Sequence, residues 1–191
     1  AQCLVGSEMC IRDRVYPVAS CNMADFKNIM DVYMDAVFYP AMYEHEEIFK
    51  QEGWHYELED VDGELAYNGV VFNEMKGVYS SADDVLSRYT FVSLFPDSEY
   101  KNESGGDPEA IPQLKYEDFI KYHKEYYHPV NSYIYLYGDI DVDERLEYLN
   151  NEYLSAFDKN DVNIDAEVTF QKAFDAPKYL SLIHISEPTR H

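Results

Sequence analysis

One carboxylate in this chain stands where a carboxylate is expensive. In the stretch VVFNEMKGVYSS (residues 70–81), Val70, Glu74 and Val78 are spaced i, i+4, i+8, and Val71 lies three residues before the glutamate. A helix over this stretch therefore predicts a stripe of valines interrupted by Glu74. An ionised carboxylate on a face meant for burial costs several kcal/mol unless it is paired or bound to a metal. Three roles remain open on these residues alone: a metal or catalytic group, a salt bridge, or a hydrogen bond between helices. Gly77, on the same side, weakens the helix but lets another backbone or side chain come close.

The histidines offer less. His45 lies in YEHEE among carboxylates and reads as solvated, and His55 alternates beside Trp54 and reads as structural. His123 and His128 are five residues apart with Pro129 following, so they do not share a helical face as an H-x-x-x-H pair would. No G-x-S-x-G, P-loop or G-x-G-x-x-G occurs, and SGGDP (104–108) is too loose to cradle a phosphate. These residues make no complete active site.

The elements that must position Glu74 can be read in order. VYPVAS (15–20) reads as a strand; Asn22 caps a helix with Phe26, Ile29, Met30, Tyr33 and Val37 on one face, closed by Pro40. EHEEIFKQEG is a short polar helix ended by Gly53. WHYELE and LAYNG flank the turn DVDGE as a hairpin. The Glu74 helix follows Gly69, breaks near Ser80 and runs on to Pro96. PDSEYKNESGGDPEAIPQ is a long loop, of the length that is usually functional or mobile. YEDFIKYHKEYY is a helix, SYIYLYGD a strand buried on both faces, and VDERLEYLNNEYLSAF a helix with Leu146, Leu149 and Tyr153 on one side. Helices and strands mingle without a βαβ rhythm, which points to an α+β fold.

Composition narrows the class. The net charge of −22 argues against nucleic acid and anionic membranes as partners, and would tolerate cationic peptides. Of three cysteines, Cys3 and Cys10 lie near the start, leaving Cys21 without a disulfide framework or a cysteine zinc site. A reducing, cytoplasmic setting is the expectation, and no stretch has the length of an apolar membrane span. The two ends are related as DNA. A coding string for LSLIHISEPTR (180–190), extended by two bases, has a reverse complement that encodes CLVGSEMCIRDR (3–14) up to its last base. It resembles a transposon-type sequencing adapter, so residues 1–14 and 180–191 are expected to be non-native. Removing both segments leaves the charge at −22, because three acidic and three basic residues go together.

Taken in order and at their spacings, VYPVAS, DFKNIMDVYMDAVFYP, QEGWHYELE, GVVFNEMKGVYSS, LFPDSEY, SGGDPEAIP and YYHPVNSYIYLYGDID resemble the insulinase/pitrilysin superfamily of zinc peptidases, in its presequence-protease branch. The resemblance covers Val15 to Phe157. It implies a mixed, mostly antiparallel sheet with helices packed against it, a partial metallopeptidase domain of the insulinase and mitochondrial-processing-peptidase type. Residues 15–158 would be that partial N-terminal domain, and 159–179 the start of an interdomain linker.

The resemblance also implies a zinc cofactor, held by an H-x-x-E-H motif and by a glutamate in NEMKG, here Glu74. Three protein ligands leave one position for water, as a hydrolytic zinc requires. No H-x-x-E-H occurs in this sequence. The expected state is a fragment that contributes the third ligand and is inactive alone. Its expected partners are peptide substrates and the missing domains of the same chain. Asn73 would be a possible support for the ligand. Tyr67 stands seven residues before Glu74, where some relatives use a supporting glutamate. The alternative is a non-catalytic relative that keeps the fold as a structural or substrate-binding half.

Overall fold

In the computed structural model, residues 8–9, 13–162, 164, 167–179 and 181 are described. Among the described residues two compact units are present: 8–9, 13–16, 47–114, 167–179 and 181 fall in one, and 17–46 with 115–162 and 164 in the other. The terminal segments read as non-native lie outside the described residues except for 8–9, 13–14 and 181.

The second unit is built on α1 (Met23–Phe38). Asn22 caps it as expected, its Oδ1 accepting from the amides of Ala24 (2.9 Å) and Asp25 (3.2 Å). The buried residues are Met30, Met34 and Phe38, one helical row. Phe26, Ile29, Tyr33 and Val37 are only half-buried, so the packed face is rotated from the expected one. Leu149 of α6 (Val142–Glu152) closes this core, with Leu136, Tyr153 and Phe157 against it. Leu146, expected beside Leu149, is exposed, and its place near the core is taken by the buried Arg145, which pairs with Glu144. Helix α5 (Tyr116–Tyr126) is held to the stretch after α1 by Tyr116, whose hydroxyl donates to the Met42 carbonyl at 2.6 Å.

The first unit contains the expected hairpin. Strand β3 (His55–Glu57) pairs antiparallel with β4 (Ala66–Asn68), with Tyr56 opposite Tyr67. Helix α2 (Glu46–Glu52), all but its first residue in this unit, precedes it and is ended by Gly53. Helix α3 (Val70–Val78) follows β4 directly, and α4 (Ala82–Leu94) begins after the expected break, capped by Ser81. The core is Phe72, Met75 and Ile111, with Trp54, Val71 and Tyr79 against it. Two glycines make it possible. Gly69 has φ 151°, and a Cβ there would lie 2.3 Å from the Gly53 carbonyl oxygen; a Cβ on Gly105 would lie 2.3 Å from Met75 Sδ.

The loop 96–113 has only 3₁₀ turns, at Glu99–Lys101 and Ile111–Gln113. Residues 167–179 have no regular structure, yet they are tied down. Thr169 donates through its amide (2.8 Å) and hydroxyl (3.1 Å) to the Glu99 carboxylate, and Gln171 donates to Asp97 at 2.9 Å. Hydrogen bonds from the Glu99 backbone amide and then from Thr169 hold the Glu99 carboxyl below its ordinary range.

The strand expectations need correcting. Among the described residues the sheets are two antiparallel ladders, β3–β4 and the pair β1 (Glu8–Met9) with β2 (Arg14–Val15). The mixed, mostly antiparallel sheet is not among them. VYPVAS supplies one strand residue, Val15. Residues 132–137 form no strand, and Tyr133, Tyr135 and Tyr137 are exposed, with Tyr133 fully so. A strand needs a ladder partner for its amides and carbonyls, and neither described ladder includes this segment. No described helix is long and apolar enough to cross a membrane.

Candidate functional site

Helix α3 carries Glu74, but not as the valine pattern predicts. The helix turns Phe72 and Met75 into the core and leaves the other stripe outward: Val70 is 51% exposed, Val78 39%, and Glu74 is exposed between them. A Cβ on Gly77 would meet nothing within 4 Å. Phe72 and Met75 pack with Ile111 and Trp54 and take the buried face from Val70 and Val78, while Val71 lies against the edge of the same core. Glu74 has no ion pair among the described residues, so the burial cost that singles it out in the sequence is not incurred.

Asn73 faces elsewhere. Its Nδ2 donates to Asn68 Oδ1 at 2.5 Å; the same oxygen accepts from the Gly69 amide at 2.8 Å, and Asn68 Nδ2 donates to Glu57 at 2.7 Å. This string binds the start of α3 to the hairpin and fixes where the helix, and Glu74 with it, begins.

The histidines behave structurally. His45 is exposed, and His55 Nδ1–H donates to the Lys50 carbonyl at 2.7 Å. His123 is buried: Nε2–H donates to the Val37 carbonyl at 2.9 Å, Nδ1 accepts from the Tyr43 hydroxyl at 2.7 Å, and Tyr127 stacks on the ring. Those contacts assign the neutral Nε2–H tautomer. Burial pushes the His123 pKa down, against the Val37 carbonyl, which favours the protonated ring. His128 is buried edge-on to Phe157, its Nδ1 accepting from the Val130 amide at 3.2 Å.

No group of three His, Cys, Asp or Glu side chains able to hold a metal occurs among the described residues. Glu74 is a free oxygen donor suited to be one ligand, but the residues present do not fit a zinc ion by themselves.

Beyond the last turn of α3 the sequence pattern leaves a cavity unannounced. It measures about 380 Å³ and is lined by Val78, Tyr79, Arg88, Phe91, Tyr100 and Glu103 among others. Arg88 pairs with Asp107 and lies over the Tyr79 ring at 5.0 Å. The Tyr79 hydroxyl is buried without a hydrogen-bond partner. Its pKa is raised by burial first, then by the Glu103 carboxylate, with Arg88 opposing and Asp107 and Asp84 adding. The sequence signal was an arginine nineteen residues before the aspartate of SGGDP.

Comparison with known proteins defines the class. A family model described as "Peptidase M16 inactive domain" matches residues 113–191. The chain is 55% identical over 164 residues to "Protein HypA" of Clostridium perfringens, covering 86% of this chain and 17% of that protein. It is 49% identical over 162 residues to presequence protease 1, chloroplastic/mitochondrial, of Arabidopsis thaliana (85% and 15%), and 40% identical over 175 residues to the mitochondrial presequence protease of Drosophila melanogaster (90% and 16%). The chain is an insulinase-family, presequence-protease-like fragment. It spans about one sixth of the length of the curated relatives it matches.

Proposed function

We propose that this chain is part of the peptidase domain of a zinc-dependent endopeptidase that hydrolyses short, unstructured peptides, and that Glu74 is the third zinc ligand of the longer protein. The observation that carries the reading is a free carboxylate in NEMKG, on an open face of α3, in a chain similar to presequence proteases. The two histidines and the general base would come from an H-x-x-E-H motif elsewhere in the longer protein. Residues 15–158 would be the domain portion and 159–179 the approach to the next domain. In that setting residues 132–137 would join a mixed, mostly antiparallel sheet. Alone, the chain is expected to bind zinc poorly and to cleave nothing.

The test is Glu74→Gln in the longer protein, with zinc content read by mass spectrometry and cleavage of a fluorogenic peptide read alongside. Both should be lost. Unchanged zinc and activity would refute the ligand role. A second reading is favoured by the description of the matching family model as an inactive domain: a non-catalytic half that keeps the fold. An intact H-x-x-E-H encoded upstream of VYPVAS in the genome excludes it.

A further inference from the structure

The cavity at the end of α3 has a specific relation to Glu74. Val78, one of its walls, is the next residue along the exposed Val70–Glu74–Val78 stripe, so the cavity opens about 6 Å further along the helix axis. Phe91 of α4 and Tyr100 give it aromatic walls, and Asp84 and Glu103 give it carboxylates. Of the two cations at the cavity, Arg88 is paired with Asp107, and Lys101 donates to the neutral Pro96 carbonyl at 3.4 Å. Among the described residues the Glu103 carboxylate accepts only from Ser104, and neither Asp84 nor Glu103 has an ion pair. Apolar walls with free carboxylates suit a side chain with an aliphatic stem and a cationic head.

We infer that this cavity is a subsite for a lysine or arginine side chain of a bound peptide, placed along α3 from Glu74. An extended peptide advances about 3.3 Å per residue, so the subsite takes the side chain about two residues from the one beside Glu74. The inference rests on the peptide-degrading reading above, but its test does not require metal or catalysis.

The 191-residue chain, labelled with nitrogen-15, is titrated with Ac-Ala-Lys-Ala-amide and with the same peptide carrying norleucine or glutamate in place of lysine. The lysine peptide should shift amides in 84–91 and 100–104 and bind at least about tenfold more tightly than the norleucine peptide. Glu103→Gln should erase most of that preference, and Ser87→Phe, which fills the cavity from an exposed helix position, should abolish binding. Both variants should melt like the parent chain. Equal binding of lysine and norleucine peptides, tighter binding of the glutamate peptide, shifts mapping elsewhere, or no binding would each overturn the subsite. Unchanged zinc and activity on Glu74→Gln in the longer protein would refute the ligand role and leave this result untouched, so the two proposals fail separately.

Discussion

Two glycines on either end of α3 should respond to the same substitution with opposite signs. Gly69→Ala places a Cβ 2.3 Å from the Gly53 carbonyl oxygen and 2.7 Å from Trp54 Cα, both backbone atoms that cannot swing aside. It also forces an L side chain to φ 151°. Backbone strain of this kind costs about 1–3 kcal/mol, and overpacking adds about 1–3 kcal/mol, so about 2–6 kcal/mol should be lost. Gly77→Ala meets nothing within 4 Å and replaces a helical glycine, so it should gain about 0.5–1 kcal/mol. Urea unfolding followed by Trp54 fluorescence reads the right unit, because Trp54 is the chain's one tryptophan and packs on the Phe72–Met75–Ile111 core. A Gly69→Ala midpoint within error of the parent would refute the close approach at the hairpin–helix junction. A destabilising Gly77→Ala would show that the outer face of α3 is covered after all.

Leu149→Ala, at the 3%-exposed centre of the second unit's core, should cost about 2–5 kcal/mol in urea unfolding followed by circular dichroism; a loss under about 1 kcal/mol would contradict the packing of α1 on α6. Asn68→Ala removes the acceptor of the Gly69 amide and of Asn73 together and should cost about 1–3 kcal/mol, with faster amide exchange confined to the first turn of α3. The depressed folded-state pKa of His123 fixes the sign of a pH effect. Below the unfolded value of about 6.5 the unfolded chain takes up a proton that the folded ring refuses, so stability falls with pH by at most about 1.4 kcal/mol per unit and levels off below the folded value. His123→Phe should flatten that slope between pH 7 and 5; an unchanged slope would remove His123 as its source.

Local chemistry was readable where it is decided locally. The Asn22 cap, the Gly53 stop, the 55–68 hairpin and the break before Ala82 all depend on residues within a few positions of one another. The orientation of α3 does not. Which side of VVFNEMKGV is buried depends on Ile111, far along the chain, and on Trp54 across the hairpin, and the valine stripe gave the opposite answer. Residues 132–137 failed for the same reason: period-two alternation specifies a strand only when another segment supplies its ladder. The second-unit core shows a milder version, in which the row Met30–Met34–Phe38 was displaced by one position because Leu149 and Phe157 choose it. Of the candidate site, Glu74 was singled out in the sequence by its motif, while its exposure and the neighbouring cavity came only with the folded chain.

The run Pro129–Gly138 contains no charged residue, although the chain as a whole carries −22. Its three outward tyrosines therefore sit in a gap in an otherwise repulsive surface. At low ionic strength the negative field of each molecule extends about 30 Å at 0.01 M salt and holds copies apart; at 1 M it shrinks to about 3 Å. The colloidal stability of this chain is thus a matter of the buffer: dilute salt keeps it dispersed, and concentrated salt uncovers this neutral, aromatic segment to every other copy.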